Sequence, residues 1–338
     1  MKAIQVSEPG KIDIIEKDMP EIKENHQVLI KVKAVGICGS DMHIYHGTNP
    51  MATYPRIIGH EFSGEVKEMG SKVSDLNIGD KVVIEPIQFC GKCYACKSGR
   101  SNVCESLKVL GVHKDGGMQE YIVVPRKKVH KIDNSIEWEK ASMVEPFTIA
   151  AQSTWRGNVK KGDYVLIMGA GPIGLGILQY SKYKGAICIV SDINDEKLGL
   201  AKELGADYIV NVTYKDIVKE TLKITNNMGA NVTIDTACLP RTFEQCVEVT
   251  SPAGRVVVLG FSEETSNIPQ VLITKKELTI VGSRLETDKF PEVIDLFNKG
   301  ILNPEYLLTH KFDFKDIKEA IKAIEDPNTK TNKVVVTF

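Results

Sequence analysis

Short alternating or β-branched runs recur through the first 146 residues. They lie at Ile12–Ile15, Val28–Val35, Lys81–Ile84 and Tyr121–Val124, separated by Gly, Pro, Asn and Asp. A period of two predicts strands with one face buried. From about Lys161 the pattern changes. Tyr164–Met168, Ile187–Val190, Tyr208–Val210, Val232–Asp235 and Arg255–Leu259 are continuous apolar runs, as expected of strands covered on both faces. Between them lie helical segments at Pro172–Lys184, Glu196–Leu204, Asp216–Thr225 and Thr242–Thr250. Strands alternating with helices at this pitch predict βαβ units and a parallel sheet. After Gly282 the chain offers helices near Phe290–Asn298 and Phe314–Glu325 and a closing strand, Lys333–Phe338. That is too little to bury a core of its own, so the tail is expected to return and complete the first domain.

One turn in the second region carries chemistry. Met168-Gly169-Ala170-Gly171-Pro172-Ile173-Gly174 follows an apolar run and opens a helix. Its three glycines fit G-x-G-x-x-G: one for the tight turn, one to admit a pyrophosphate to the backbone, one to let helix approach strand. Exposed amides and the helix dipole favour an anion there. Asp192 lies 23 residues after Gly169, at the end of the next strand. A carboxylate in that place accepts hydrogen bonds from the adenosine ribose and repels a 2′-phosphate, which points to NAD rather than NADP. The alternative for Asp192 is an N-cap of the following helix.

Cysteine placement adds two candidate metal centres. Cys90, Cys93, Cys96 and Cys104 supply four thiolates within fifteen residues, enough to close a tetrahedron around Zn²⁺ with no open position. An iron–sulfur cluster competes, but the proline that follows the last cysteine of bacterial ferredoxin motifs is missing. The second centre is dispersed. Cys38 sits in Gly36-Ile37-Cys38-Gly39-Ser40-Asp41-Met42-His43, and His60 and Glu61 follow in Gly59-His60-Glu61-Phe62. A thiolate, an imidazole and a carboxylate suit an open zinc site, and Glu145 could add a further oxygen. Taken singly, each has a structural alternative: a core histidine, a solvated glutamate. Cys188, Cys238 and Cys246 read as small buried hydrophobes.

Composition mainly excludes. The 338 residues carry 43 Lys+Arg against 44 Asp+Glu, a formal charge of −1, so no basic field recruits nucleic acid or an acidic membrane surface. Lys92, Lys97, Arg100 and Lys108 near the cysteine cluster make only a small basic patch. No apolar run reaches the roughly 18–20 residues of a membrane span, because the nearest, Val165–Tyr180, is broken by four glycines. The first fifteen residues lack a secretory pattern, so a cytoplasmic protein is expected.

Together Gly36–His43, Gly59–Glu65, the four-cysteine segment, Gly169–Gly174, Ser191–Asn194 and Lys333–Phe338 resemble the zinc-dependent medium-chain alcohol dehydrogenases, end to end and in order. The resemblance implies an α/β architecture in which a Rossmann doubly wound parallel sheet is inserted into a GroES-like β-barrel catalytic domain. The expected division is 1–146 for the first part of the catalytic domain, 147–281 for the NAD-binding domain and 282–338 for the return segment. It also implies two zinc ions per subunit, one catalytic and one structural, with NAD as cofactor and a homo-oligomer, dimer or tetramer, as the assembly.

Within the family the chain is most similar to the polyol, threonine and sugar-acid branch, where a carboxylate, Glu61 or Glu145, completes the ligand set with Cys38 and His60. Glu61 is expected as the resting ligand. By the same resemblance Asp41 orients His60, Ser40 and His43 relay the released proton, and Lys197 and Lys333 join the glycine-rich turn, Asp192 among them, in binding the cofactor. A narrower likeness is to bacterial L-galactonate and L-gulonate 5-dehydrogenases, carried by Ile57–Glu61, Gly111–Gly117, Val144–Ile149, Gly282-Ser283-Arg284 and Leu308-Thr309-His310. It implies a small polyhydroxylated substrate, with sorbitol-like polyols or L-threonine as alternatives. Arg284, His113 and Tyr45 are the candidate substrate contacts. A protein that holds zinc and NAD without turnover is the competing class.

Overall fold

The computed structural model describes all residues, 1–338. The chain forms two compact units, Met1–Glu145 with Phe290–Phe338, and Pro146–Lys289.

The first unit is built on one long strand, Gln27–Ile37, eight of whose eleven residues are buried. It pairs antiparallel with Glu61–Met69 on one side and with Lys333–Thr337 on the other. The sheet continues from Glu61–Met69 to Lys81–Ile84 and Val129–Lys131, and from Lys333–Thr337 to Leu308–Asp313; Tyr121–Pro125 also pairs with the long strand. The expected strands of this unit fall inside observed ones, except that the closing strand ends at Thr337 and not at Phe338. Glu61–Met69 was not foreseen, because its buried half, Glu61-Phe62-Ser63-Gly64, mixes polar and small residues and does not read as a hydrophobic run. Gly64 is there for space: a Cβ would sit 2.6 Å from the Lys31 carbonyl oxygen of the neighbouring strand.

The second unit is a six-stranded sheet, parallel throughout. Its order is Tyr208–Asn211, Ile187–Asp192, Tyr164–Met168, Ala230–Asp235, Thr250–Val258, Thr279–Gly282. This is the 3-2-1-4-5-6 arrangement of a doubly wound dinucleotide-binding fold, whose ligands lie at the carboxyl ends of the strands where the order reverses. Leu166, Ile189, Ala230 and Val256 are fully buried in its core. The unit runs to Lys289, past the expected limit at 281. The reason is local: Arg156 donates to the Gly282 carbonyl at 2.9 Å, Ser283 and Ser153 hydroxyls lie 3.2 Å apart, and Thr287 N–H donates to Gln152 at 3.4 Å. These bonds hold residues 282–287 to the Val144–Arg156 helix.

No helix is long and apolar enough to cross a membrane.

Candidate active site

Three strand ends assemble the first cluster. The pairing Gly36↔Glu61 and Val334↔Ile37 sets the start of Glu61–Met69, the end of Gln27–Ile37 and the start of Lys333–Thr337 side by side. Cys38 follows the long strand as N-cap of the helix Gly39–Tyr45, and His60 immediately precedes its own strand. Ligand atoms of Cys38, His60 and Glu61 thereby come within 4.8 Å of one another. Gly36 makes the room: a Cβ there would lie 2.3 Å from Glu61 Oε2 and 2.8 Å from Met143 Cε.

Asp41, fully buried, braces both ligand-bearing turns. Its Oδ2 accepts from Cys38 N–H at 2.9 Å and its Oδ1 from Gly59 N–H at 3.0 Å. His60 Nδ1 is 3.7 Å from Oδ1, an ion-pair distance rather than a hydrogen bond. Asp41 therefore orients His60 mainly by fixing the backbone beside it. Burial disfavours charge on His60, yet the Asp41 carboxylate and the Cys38 sulfur outweigh it and hold the imidazole pKa well above its usual value. Burial also opposes the Asp41 anion, but His60 and the two backbone donors keep that carboxyl below the ordinary range.

Lys333 departs from expectation. Instead of standing ready for a cofactor phosphate, its ammonium is buried and donates to Glu61 Oε1 and, at 3.3 Å, to the Ile37 carbonyl. Burial works against this cation, while Glu61 and Cys38 more than compensate and raise its pKa. Glu61 Oε2 is left buried without a hydrogen-bond partner. A thiolate, an imidazole and an orphaned carboxylate oxygen around one point fit a single divalent ion. Glu145 is buried nearby but outside this ligand set. Burial pushes its carboxyl up to about 7; His60 and Lys333 pull it down, Glu61 and Asp41 push it up.

Ser40 donates its hydroxyl to Cys38 Sγ at 3.3 Å, whereas the exposed His43 places Nδ1 2.8 Å from Thr48 Oγ1. The structure does not join the two expected relay residues directly. His113 Nδ1 accepts from Val109 N–H at 3.1 Å, which ties it into its own turn, and the Tyr45 ring lies edge-on to His46 at 5.1 Å.

Cys90, Cys93, Cys96 and Cys104 form the second cluster, with all four sulfurs within 4.8 Å. The Cys93–Cys96 and Cys93–Cys104 separations, 3.5 and 3.8 Å, are close to the edge of about 3.8 Å that tetrahedral zinc–sulfur bonds of 2.3 Å require. Lys92 and Cys93 N–H groups donate to Cys90 Sγ and lower its pKa to about 6, whereas desolvation and the neighbouring sulfurs push Cys96 up to about 12. The Cys90 N–H donates to Cys104 Sγ and lowers that thiol as well.

In the second unit the glycine-rich turn has the expected form. Gly169 has φ +106°, Gly171 caps the helix Pro172–Tyr183 and Pro172 is its first residue. A Cβ at Gly174 would lie 2.0 Å from the Gly169 carbonyl oxygen, while one at Gly171 would meet nothing within 4 Å. Asp192 Oδ2 accepts from Ala170 N–H at 2.7 Å. Asn194, not Asp192, caps the next helix, Asp195–Glu203; the Lys197 amide bonds that cap at 3.1 Å. The Arg284 guanidinium lies over the Phe261 ring, 5.1 Å from its centroid. Thr236, which sequence reasoning passed over, donates to the Met168 carbonyl at 2.8 Å; only the parallel register of the two strands reveals it.

Comparisons with known proteins identify the family. Residues 24–134 match the alcohol dehydrogenase GroES-like domain and residues 172–299 the zinc-binding dehydrogenase domain. The starvation-sensing protein RspB of Escherichia coli K12 is 44% identical over 340 residues, covering 100% of this chain and 99% of RspB. The crystal structure of RspB from E. coli CFT073, complexed with NADH, aligns with TM-score 0.94 over 100% and 99% of the two chains. L-threonine 3-dehydrogenase of Pyrococcus horikoshii is 39% identical (99% and 98% covered), and L-galactonate-5-dehydrogenase of E. coli K12 is 33% identical (100% and 99% covered). The chain belongs to the zinc-dependent medium-chain alcohol dehydrogenase family. It is an oxidoreductase of CH–OH donors, with zinc and a nicotinamide dinucleotide as its cofactors.

Two outcomes test the site. Gly36→Ala should displace Glu61 and lower bound zinc from two ions per subunit toward one, read by elemental analysis; full retention would show that Glu61 is not a ligand. For the metal-free protein, a folded carboxyl at Glu145 raised from 4.5 to about 7 stabilises relative to an ordinary one only while protonated. That contribution is complete below about pH 4.5 and lost as pH rises through 7. Glu145→Gln should therefore melt increasingly above wild type between pH 5 and 8 by calorimetry, and parallel curves would refute the shift.

Proposed function

We propose that the chain oxidises a secondary alcohol of a small sugar acid or polyol with NAD, the C5 hydroxyl of L-galactonate or L-gulonate being the first choice of substrate. The observation that carries the reading is the Cys38–His60–Glu61 cluster: three ligands of different chemistry, buried at strand ends and braced by Asp41. A closed structural site needs no such exchangeable carboxylate.

Cys38, His60 and Glu61 would hold a zinc ion, whose Lewis acidity would make a substrate hydroxyl more acidic, while a bound nicotinamide would supply the hydride acceptor. The residues do the rest. The Lys333 cation offsets the charge of one anionic ligand, Glu61, so the pocket keeps electrophilic character. Ser40 would take the hydroxyl proton as that oxygen loses it, and His43 at the surface would hand it to solvent. Secondary alcohol and NAD⁺ thus become ketone, NADH and one proton. Arg284 grips the substrate carboxylate, with His113 and Tyr45 as secondary contacts. Asp192 receives the adenosine ribose and selects NAD, and Lys197 adds charge beside it. Glu145 stands as a reserve oxygen ligand. The protein works in the cytoplasm as a homo-oligomer joined through an edge strand of the parallel sheet.

L-threonine remains the second substrate reading, favoured by the 39% identity to a threonine dehydrogenase. NADH absorbance over hexonates, sorbitol and threonine should show greatest kcat/KM for a hexonate with NAD, about a hundredfold below it with NADP, and none with Cys38→Ser. NADP preference would overturn the role of Asp192, and turnover of none of these would favour a binding protein. Arg284→Ala should raise KM for the hexonate roughly 10–100-fold, the loss of a charge-assisted pair, and leave sorbitol unchanged. Equal loss on both would remove Arg284 from carboxylate recognition.

A further inference from the structure

The glycine-rich turn of the second unit is held from both neighbouring strands, and only one of the two holds is explained by the cofactor reading. From Ile187–Asp192, the Asp192 carboxylate takes the Ala170 N–H at 2.7 Å, and the Ser191 carbonyl takes the Gly169 N–H at 2.8 Å. From Ala230–Asp235 on the opposite side comes Thr236. Its backbone N–H donates to the Met168 carbonyl at 3.0 Å, and its hydroxyl lies 2.8 Å from that oxygen and 3.2 Å from the Gly169 carbonyl oxygen. One hydroxyl thus spans two successive carbonyls at the point where the backbone turns into φ +106°.

The carbonyl it touches is also the one against which the helix is packed. Gly174, in the first turn of Pro172–Tyr183, approaches so closely that a Cβ would lie 2.0 Å from Gly169 O and 3.1 Å from Thr236 Oγ1. A rotation of the Gly169 peptide would therefore move the first turn of the helix, and with it the amides of Gly171, Ile173 and Gly174 that have no partner within the helix. Thr236 is itself fixed. The buried Asp235 beside it accepts from Ala237 N–H at 3.2 Å, Cys238 N–H at 3.1 Å and the Thr242 hydroxyl at 2.9 Å, which locks the chain just past the strand. The hydroxyl is thus carried on a rigid arm.

We propose that Thr236 is a positioning residue of the cofactor site: its hydroxyl sets the Gly169 peptide so that the free amides at the head of the helix are aimed at a pyrophosphate before the cofactor arrives. It touches no cofactor atom in this role. The inference rests on the reading of this turn as a dinucleotide site and extends it to a residue outside the glycine motif. Preorganised donors bind an anion without the cost of ordering the loop, so the effect falls on the diphosphate and not on the adenosine.

The test is fluorescence titration of the zinc-loaded protein with NADH, together with competition by ADP and by adenosine. Thr236→Val keeps the β-branched shape and removes the hydroxyl; Thr236→Ser restores it. Thr236→Val should weaken NADH and ADP about five- to tenfold, the span of one hydrogen bond, with adenosine unchanged and Thr236→Ser close to wild type. NADH and ADP binding equal to wild type in Thr236→Val overturns the proposal. So does an equal loss for adenosine, which would mark a general loosening of the unit. Failure of wild type itself to bind NADH would overturn the cofactor reading, and this inference with it.

Discussion

The buried ion pair between Lys333 and Glu61 is the constraint on which the catalytic cluster depends. Two opposite charges sealed from water cost several kcal/mol to desolvate and are tolerable only when they face one another. Here the register of three strands enforces that: Glu61 opens one, Lys333 opens another, and the end of Gln27–Ile37 runs between them. With Oε1 occupied by the lysine, Glu61 can offer the metal one oxygen, not two. Shifting any of the three strands by a single residue would turn one partner to the opposite face.

The two candidate metal centres follow different building rules. The four-cysteine centre is local: ligands spaced within fifteen residues, with backbone amides of the same loop lowering the Cys90 and Cys104 thiols. The other is global, and its parts come from residues 38, 60–61 and 333, brought together only by the sheet. A closed site needs little more than a loop that can wrap an ion. An open one must be held open, and that takes a framework able to keep an unsatisfied oxygen where folding alone would have paired it.

This difference explains what the sequence disclosed. The parallel sheet was legible because each strand is a continuous apolar run and each helix a separate segment; the glycine-rich turn and the cysteine cluster were legible because their spacing is short. Glu61–Met69 was not, since a strand with Glu, Ser and Gly in its buried half has the composition of a loop. The resemblance supplied Cys38, His60 and Glu61 as a set, yet it placed Lys333 with the cofactor. Nothing near position 333 announces a carboxylate partner 272 residues away. Thr236 was silent for the same reason: a threonine after a strand is ordinary until the register sets it beside Met168.

The chain order of the first unit has a consequence for biogenesis. The strand Lys333–Thr337 lies between Gln27–Ile37 and Leu308–Asp313, inside the sheet rather than at its edge, although it follows both of them in chain order. The second unit is continuous in sequence and can mature while translation proceeds. The first must wait with a gap in its sheet and with Glu61 lacking its counter-charge. Nascent chains stalled before that strand emerges would carry a finished nucleotide-binding unit beside an unfinished barrel, a natural client for a chaperone.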